Sequence, residues 1–242
     1  MLVQEQPGGD ALCIGQASHA WLSGQLARAW DPAAAEEVCL AAEQHDVGMA
    51  QWDLVPPLEP ISGRPVGFMD MALADHLALW RAAPERLFTQ SRHAALLVSL
   101  HGTKLYEMRD LDAMAPRDAA AVRNYLAGQR TLQERLAREV GAGEDELRRD
   151  QARLFAWDGL SLALCLGWAP YTTPEVDGRT LRLKAAQGGE HHTLSPWPFA
   201  PPELVVRCEG RLLGEHATSE ATLHDALERA ERVDLRFWLR PR

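Results

Sequence analysis

Segments that read as amphipathic helices carry a histidine or a carboxylate on the face meant for the core, and they do so repeatedly. His19 shares a face with Leu22, Leu26 and Trp30, which recur at helical spacing. His45-Asp46 ends the next helical stretch, in AAEQHDVG. His76 lies along a face with Leu73, Leu77 and Trp80, and His101 closes the run AALLVSLHG. Asp158 is the lone charge in the apolar stretch LFAWDGLSLALCLGW. A buried polar group left without a partner costs about 1–3 kcal/mol. Separate satisfaction of every such group is therefore a heavier demand on the fold than one shared site inside a helical assembly. Asp158 makes the point most sharply, because a buried, ionised carboxylate needs a cationic or metal partner.

The helices that carry these groups have readable punctuation. Asp31-Pro32 predicts an N-cap with proline at the first helical position, starting a helix that runs to Gln44. Gly48 stands where a left-handed exit would end it. Residues 53–69 (DLVPPLEPISGRPVGFM) read as a long loop, suited to be a lid or pocket wall. Asp70 is placed to cap the helix bearing His76, and Pro84 to open the one bearing His101. Further helices are predicted over Arg117–Val140 and Glu144–Leu166. After Pro170 the pattern changes to short strands in TLRLKAA, ELVVRC and VDLRFWLR, with a helix from Ser219 to Arg232. A hairpin is predicted at the start of the chain, with its turn at Pro7-Gly8-Gly9-Asp10. The expected fold is mainly α: a helical metal-binding domain over 1–170, including the hairpin, and a small antiparallel β-rich (α+β) appendage over 171–242.

Composition narrows the function classes. A net charge of -9 disfavours a nucleic-acid surface, which needs basic residues against phosphates. Cys13, Cys39, Cys165 and Cys208 are scattered among apolar neighbours, as expected of buried thiols in a reducing cytoplasm. MLVQEQPGGD lacks the features of a signal peptide, and AALLVSL and LSLALCLGW are too short to span a bilayer. The expectation is a soluble, cytoplasmic protein with a small-molecule substrate, no nucleic-acid partner and no membrane partner. No GxSxG, P-loop or GxGxxG pattern is present. Imidazole mixed with carboxylate suits iron, manganese, zinc or cobalt better than calcium or magnesium. The dipeptide alone carries little weight, since His224-Asp225 repeats it in ATLHDALERA with no other His or Asp arranged around it.

The order His19, His45-Asp46, His76, His101, Asp158 resembles that of HD-domain metalloproteins. QASHAWLSGQLARAW, AAEQHDVGMAQWD, DHLALW, AALLVSLHGTKLY and SPWPFAPPEL look more closely like a bacterial HD-like family of unknown function, of the DUF3891 type. That resemblance implies an HD-like helical bundle with His19, His45, Asp46 and Asp158 as core metal ligands. It further implies His76 and His101 as ligands to a second ion, with Asp46 bridging the two through its oxygens. In two-metal sites the ions activate water and stabilise charge on a phosphate or bound oxygen. One departure is plain: many HD enzymes carry Lys where this chain has Met49. Lys104, Arg92 and Arg64 are the possible substitutes, and His93 is a candidate pocket base, giving Asp46, Lys104 and His93 as the catalytic candidates. The favoured expectation is a metal-dependent phosphohydrolase of small phosphoesters using two divalent transition-metal ions. The alternatives are a mixed-valent di-iron oxygenase and a non-catalytic, metal-stabilised binding module.

Overall fold

The computed structural model describes residues 1–186, 190–214 and 216–242. The N-terminal hairpin forms as the turn residues predict, with β1 (Leu2–Glu5) antiparallel to β2 (Ala11–Ile14). The chain then enters α1 (Gln16–Ala29) and α2 (Glu36–Gln44). A loop containing the short strands β3 (Leu58–Glu59) and β4 (Arg64–Pro65) leads to α3 (Leu73–Ala82) and α4 (Arg92–Glu107). The long helices α5 (Pro116–Val140) and α6 (Glu144–Cys165) follow. Beyond them come β5 (Tyr171–Thr172), β6 (Arg182–Ala185), β7 (His191–Ser195), β8 (Leu204–Leu213), α7 (Glu220–Arg229) and β9 (Glu231–Pro241).

The expectation of a mainly helical HD-like bundle with a small β appendage is overturned. About half the chain is helical, and the strands form one curled, mixed sheet of seven, ordered β1-β2-β8-β9-β7-β6-β5. The hairpin is part of it: β2 pairs with β8, with Ala11 opposite Leu213 and Ile14 opposite Gly210. All neighbours are antiparallel except β7 and β9. β8 alternates as a half-buried strand should, with Val206 and Cys208 buried and Val205, Arg207 and Glu209 exposed. Ile14, Leu22, Trp157, Leu194, Val206 and Leu239 share one apolar core, so helices and sheet are packed as a unit.

The sheet also places the first helix. β2 ends at Ile14, which leaves the backbone of β8 at Arg207 and Glu209 without a strand partner on that side. α1 takes over. Ser18 Oγ donates to the Glu209 carbonyl at 2.6 Å and accepts from its N–H at 3.0 Å. Gln25 does the same for Arg207, donating at 2.8 Å and accepting at 3.0 Å. Two side chains thereby complete an otherwise open strand edge. They also fix the rotation of α1, and so the direction in which His19 points.

Local punctuation differs from expectation at three helix starts. Asp31-Pro32 lies in an irregular turn, where the Asp31 N–H is used by the Pro198 carbonyl at 2.9 Å, and α2 starts only at Glu36. α3 starts at Leu73 after Ala72 rather than from Asp70. Pro84 opens only a short 3-10 turn, and α4 is capped by Ser91, whose Oγ accepts from the Ala94 N–H. Gly48 sits in a 3-10 turn with no left-handed exit; its requirement is space, since a Cβ there would lie 2.6 Å from the Leu79 carbonyl oxygen. Among the described residues, no helix is long and apolar enough to cross a membrane.

Candidate metal centre

Four helices deliver the cluster. His19 comes from α1, His45 from the C-terminal end of α2 with Asp46 just beyond it, His101 from α4 and Asp158 from α6. All five side chains are buried. Two groups of three could each hold an ion: His19, His45 and Asp46, and His45, His101 and Asp158.

The hydrogen bonds orient the imidazoles for ligation. His45 Nδ1 donates to the Ala42 carbonyl at 2.8 Å, which leaves Nε2 as the lone-pair nitrogen. That Nε2 is buried, has no hydrogen-bond partner, and lies 3.4 Å from Asp46 Oδ2 and 3.3 Å from Asp158 Oδ1. Ser161 gives its hydroxyl hydrogen to the Asp158 carbonyl at 2.8 Å, so its oxygen accepts from His19 Nδ1 at 2.9 Å. His19 Nε2 then faces Asp46 Oδ2 at 2.7 Å. A lone pair facing a carboxylate at that distance needs a proton or a metal cation between them.

The separations fit an ion. Ligand bonds of about 2.1 Å put neighbouring donor atoms about 3.0–3.4 Å apart in octahedral or tetrahedral coordination. The Nε2–Oδ distances here run from 2.7 Å to the 3.5 Å between His101 Nε2 and Asp158 Oδ2. Both groups of three use His45, and its Nε2 has a single lone pair, so the common centre suits one principal ion.

Electrostatics favours a cation at the same point. Burial alone would lower the pKa of His45, but the carboxylates of Asp46 and Asp158 outweigh it and hold the imidazole well above its ordinary range. Burial would raise Asp46, yet His45 and the hydrogen bond from His19 hold it well below the usual carboxylate range. Asp158 is likewise lowered against its burial, by His45 and His101. His101 is pushed down to about 4 by burial, which keeps it neutral and able to ligate, and its Nδ1 has no hydrogen-bond partner.

His76 lines the same pocket but stands apart from the cluster. Its Nε2 accepts from the Trp80 indole at 3.1 Å and its Nδ1 pairs with the Tyr106 hydroxyl, so both nitrogens are engaged. Burial pushes His76 down to about 4. Asp75 is exposed and, among the described residues, makes no hydrogen bond or ion pair with it. His93 faces a different cavity of ≈ 760 Å³, with Nε2 at 3.9 Å from Asp150 and Arg92 beside it. Lys104 is exposed on α4 and does not line the cluster's pocket. Arg64 is buried beneath the N-terminal hairpin, bonded to the Leu213 carbonyl at 3.0 Å and to Glu5 at 3.3 Å.

The cluster forms the base of a pocket of ≈ 310 Å³. Gln16 lines it with an Oε1 that has no hydrogen-bond partner. The long loop supplies Phe68 and Met69 to its wall. Arg109, just beyond α4, is the cation that sequence reasoning missed: it lines the pocket, while Met49 is buried in the core. It sits in an exposed turn, MRDLD, where nothing in the local pattern sets it apart from a surface charge.

A family model described as "Protein of unknown function (DUF3891)" matches residues 1–215. Neither a curated protein nor a solved structure matches the chain.

Proposed function

The chain belongs to the DUF3891 family, and from that premise we propose that it is a metal-dependent hydrolase of small phosphoesters. The ion is held by His19, His45, Asp46 and Asp158, in the ligand order of the HD superfamily. One observation carries the reading: the buried, unpartnered Nε2 of His45 faces two carboxylates at 3.3 and 3.4 Å. A divalent ion bound there supplies Lewis acidity toward a phosphoryl oxygen and activates water at neutral pH.

The chain's own residues do the rest. Ala42 and Ser161 hold the two imidazoles in the ligating orientation. Asp46 and Asp158 supply the negative charge that keeps the cation. The acceptor Oε1 of Gln16 lines the pocket beside the cluster, where it can orient an attacking water. Hydrolysis forms a bond from the water oxygen to phosphorus and breaks the ester P–O bond. An alcohol and inorganic phosphate are released.

A di-iron oxygenase would need a second ion beside His101 and His76, and the engagement of both His76 nitrogens counts against that reading. A non-catalytic module would not need an accessible pocket of ≈ 310 Å³ over the cluster.

Elemental analysis of protein purified without chelator is the test, followed by phosphoester panels with manganese. About one equivalent of transition metal, lost in Asp46→Ala together with phosphoester turnover, is the expected result. Metal-free protein, or metal unaffected by Asp46→Ala, would overturn it.

A further inference from the structure

We infer that the substrate presents a single phosphoryl group on an apolar remainder, and that Arg109 recognises the phosphoryl group. This rests on the metal-dependent reading above and specifies the ligand of that site.

The pocket has a polar and an apolar part. At its base lie the imidazoles and carboxylates of the cluster. Beside Gln16 and His76, one wall is apolar: Phe68, Met69 and Met71 from the loop, Leu73 from α3, Leu105 from α4 and Leu162 from α6. Met69 is 67% exposed and Met71 9%, so a ligand entering along this wall covers apolar surface that now meets water. Methionine side chains adapt to irregular apolar shapes without imposing one of their own.

Charge sets the other half of the specificity. Arg109 is the single Lys or Arg among the described residues that line this pocket. Its guanidinium stacks on Tyr106, with Cζ 4.7 Å from the ring centroid. Among the described residues it makes no side-chain hydrogen bond or ion pair, so its planar fork of donors is available for a phosphoryl group. Tyr106 in turn bonds His76, which ties the stacked arginine to the pocket wall. One guanidinium and one ion match one phosphoryl group. A polyphosphate would bring further negative charge against Asp46 and Asp158 and against the apolar wall, with no second Lys or Arg among the described lining residues to meet it.

Non-hydrolysable phosphonates test this by calorimetry on manganese-loaded protein. Methyl-, butyl- and hexylphosphonate are compared with 2-carboxyethylphosphonate, which adds a second charge at similar length. Affinity is expected to rise about fourfold for each methylene that reaches the apolar wall. The carboxyethyl compound should bind more weakly than butylphosphonate. Arg109→Gln should weaken every phosphonate about ten- to a hundredfold while metal content stays that of wild type. Arg109 is exposed, so this variant is expected to fold, and a thermal melt matching wild type checks it. Affinity independent of chain length, tighter binding of the carboxyethyl compound, an unaffected Arg109→Gln, or no phosphonate binding to metal-loaded protein would each overturn the inference. Failure of the metal reading is separately visible, as protein that takes up no manganese.

Discussion

Replacing Asp158 with Asn distinguishes a metal centre from a structural ion-pair network, because the two predict opposite patterns of stability. Asp158 lies 3.3 Å from His45 and 3.5 Å from His101, beyond the distance of a tight charge-assisted hydrogen bond. The closer contact, Asp46 to His19 at 2.7 Å, survives the substitution, as does the Asp46–His45 attraction. Without metal, Asp158→Asn removes one of two buried carboxylates that lean on the same imidazole, so stability should change by no more than about 1 kcal/mol. If Asp158 were instead half of a structural pair, its loss would cost about 3–5 kcal/mol. Metal reverses the comparison. An ion at a hundred times its dissociation constant stabilises by about 2.7 kcal/mol, or about 5–11 °C in Tm for a chain of this size. A hundredfold weaker variant keeps about 0.4 kcal/mol at the same concentration, a shift of about 1–2 °C. Thermal melts in chelator and in millimolar manganese or zinc read both effects. A wild-type Tm indifferent to metal would refute the reasoning, as would Asp158→Asn shifting like wild type. A variant that falls by about 6–20 °C in chelator would point to the structural pair instead.

Further outcomes follow from the same geometry. The pKa of His45 is raised above its ordinary 6.5, so its contribution to metal-free stability is complete below that value and fades as pH rises through the raised one. Asp46 and Asp158 are lowered below 3.8, so their contribution is complete above it and fades as pH falls through the lowered values. Metal must displace the His45 proton as well as any proton held between His19 and Asp46, so its affinity should rise at least about tenfold per pH unit up to that raised pKa, with at least one proton released in calorimetry run in two buffers. Affinity that does not change with pH would contradict this. His76→Gln should leave metal content at the wild-type level, because both its nitrogens serve Trp80 and Tyr106; loss of an equivalent would make His76 a ligand. Gly102→Ala should destabilise by about 1–3 kcal/mol, since a Cβ there would lie 2.6 Å from the Trp80 ring and 2.7 Å from the Tyr125 hydroxyl. Urea melts check it, and a neutral result would mean that Trp80 moves freely.

The residues of the cluster could be read from the chain because each breaks a local pattern. Asp158 is a charge inside an apolar helical run, His19 sits on a face otherwise made of Leu and Trp, and His101 closes the apolar run AALLVSLHG, so the local pattern alone exposes them. Arg109 breaks no pattern, and its importance comes only from the pocket that forms beside it. The seven-stranded sheet is hidden for a different reason: Ile14 pairs with Gly210, and partners so far apart share no local signal. The cluster is readable without the sheet, because α1, α2, α4 and α6 pack on one another and bring the ligands together directly. Yet the sheet is not a bystander. Ser18 and Gln25, which complete the open edge of β8, flank His19 on the same helix, so the strand that sequence periodicity truncated at Cys208 helps aim the first ligand. Ser18 and Gln25 break no local pattern, and only their long-range partners on β8 reveal that fold and site meet there.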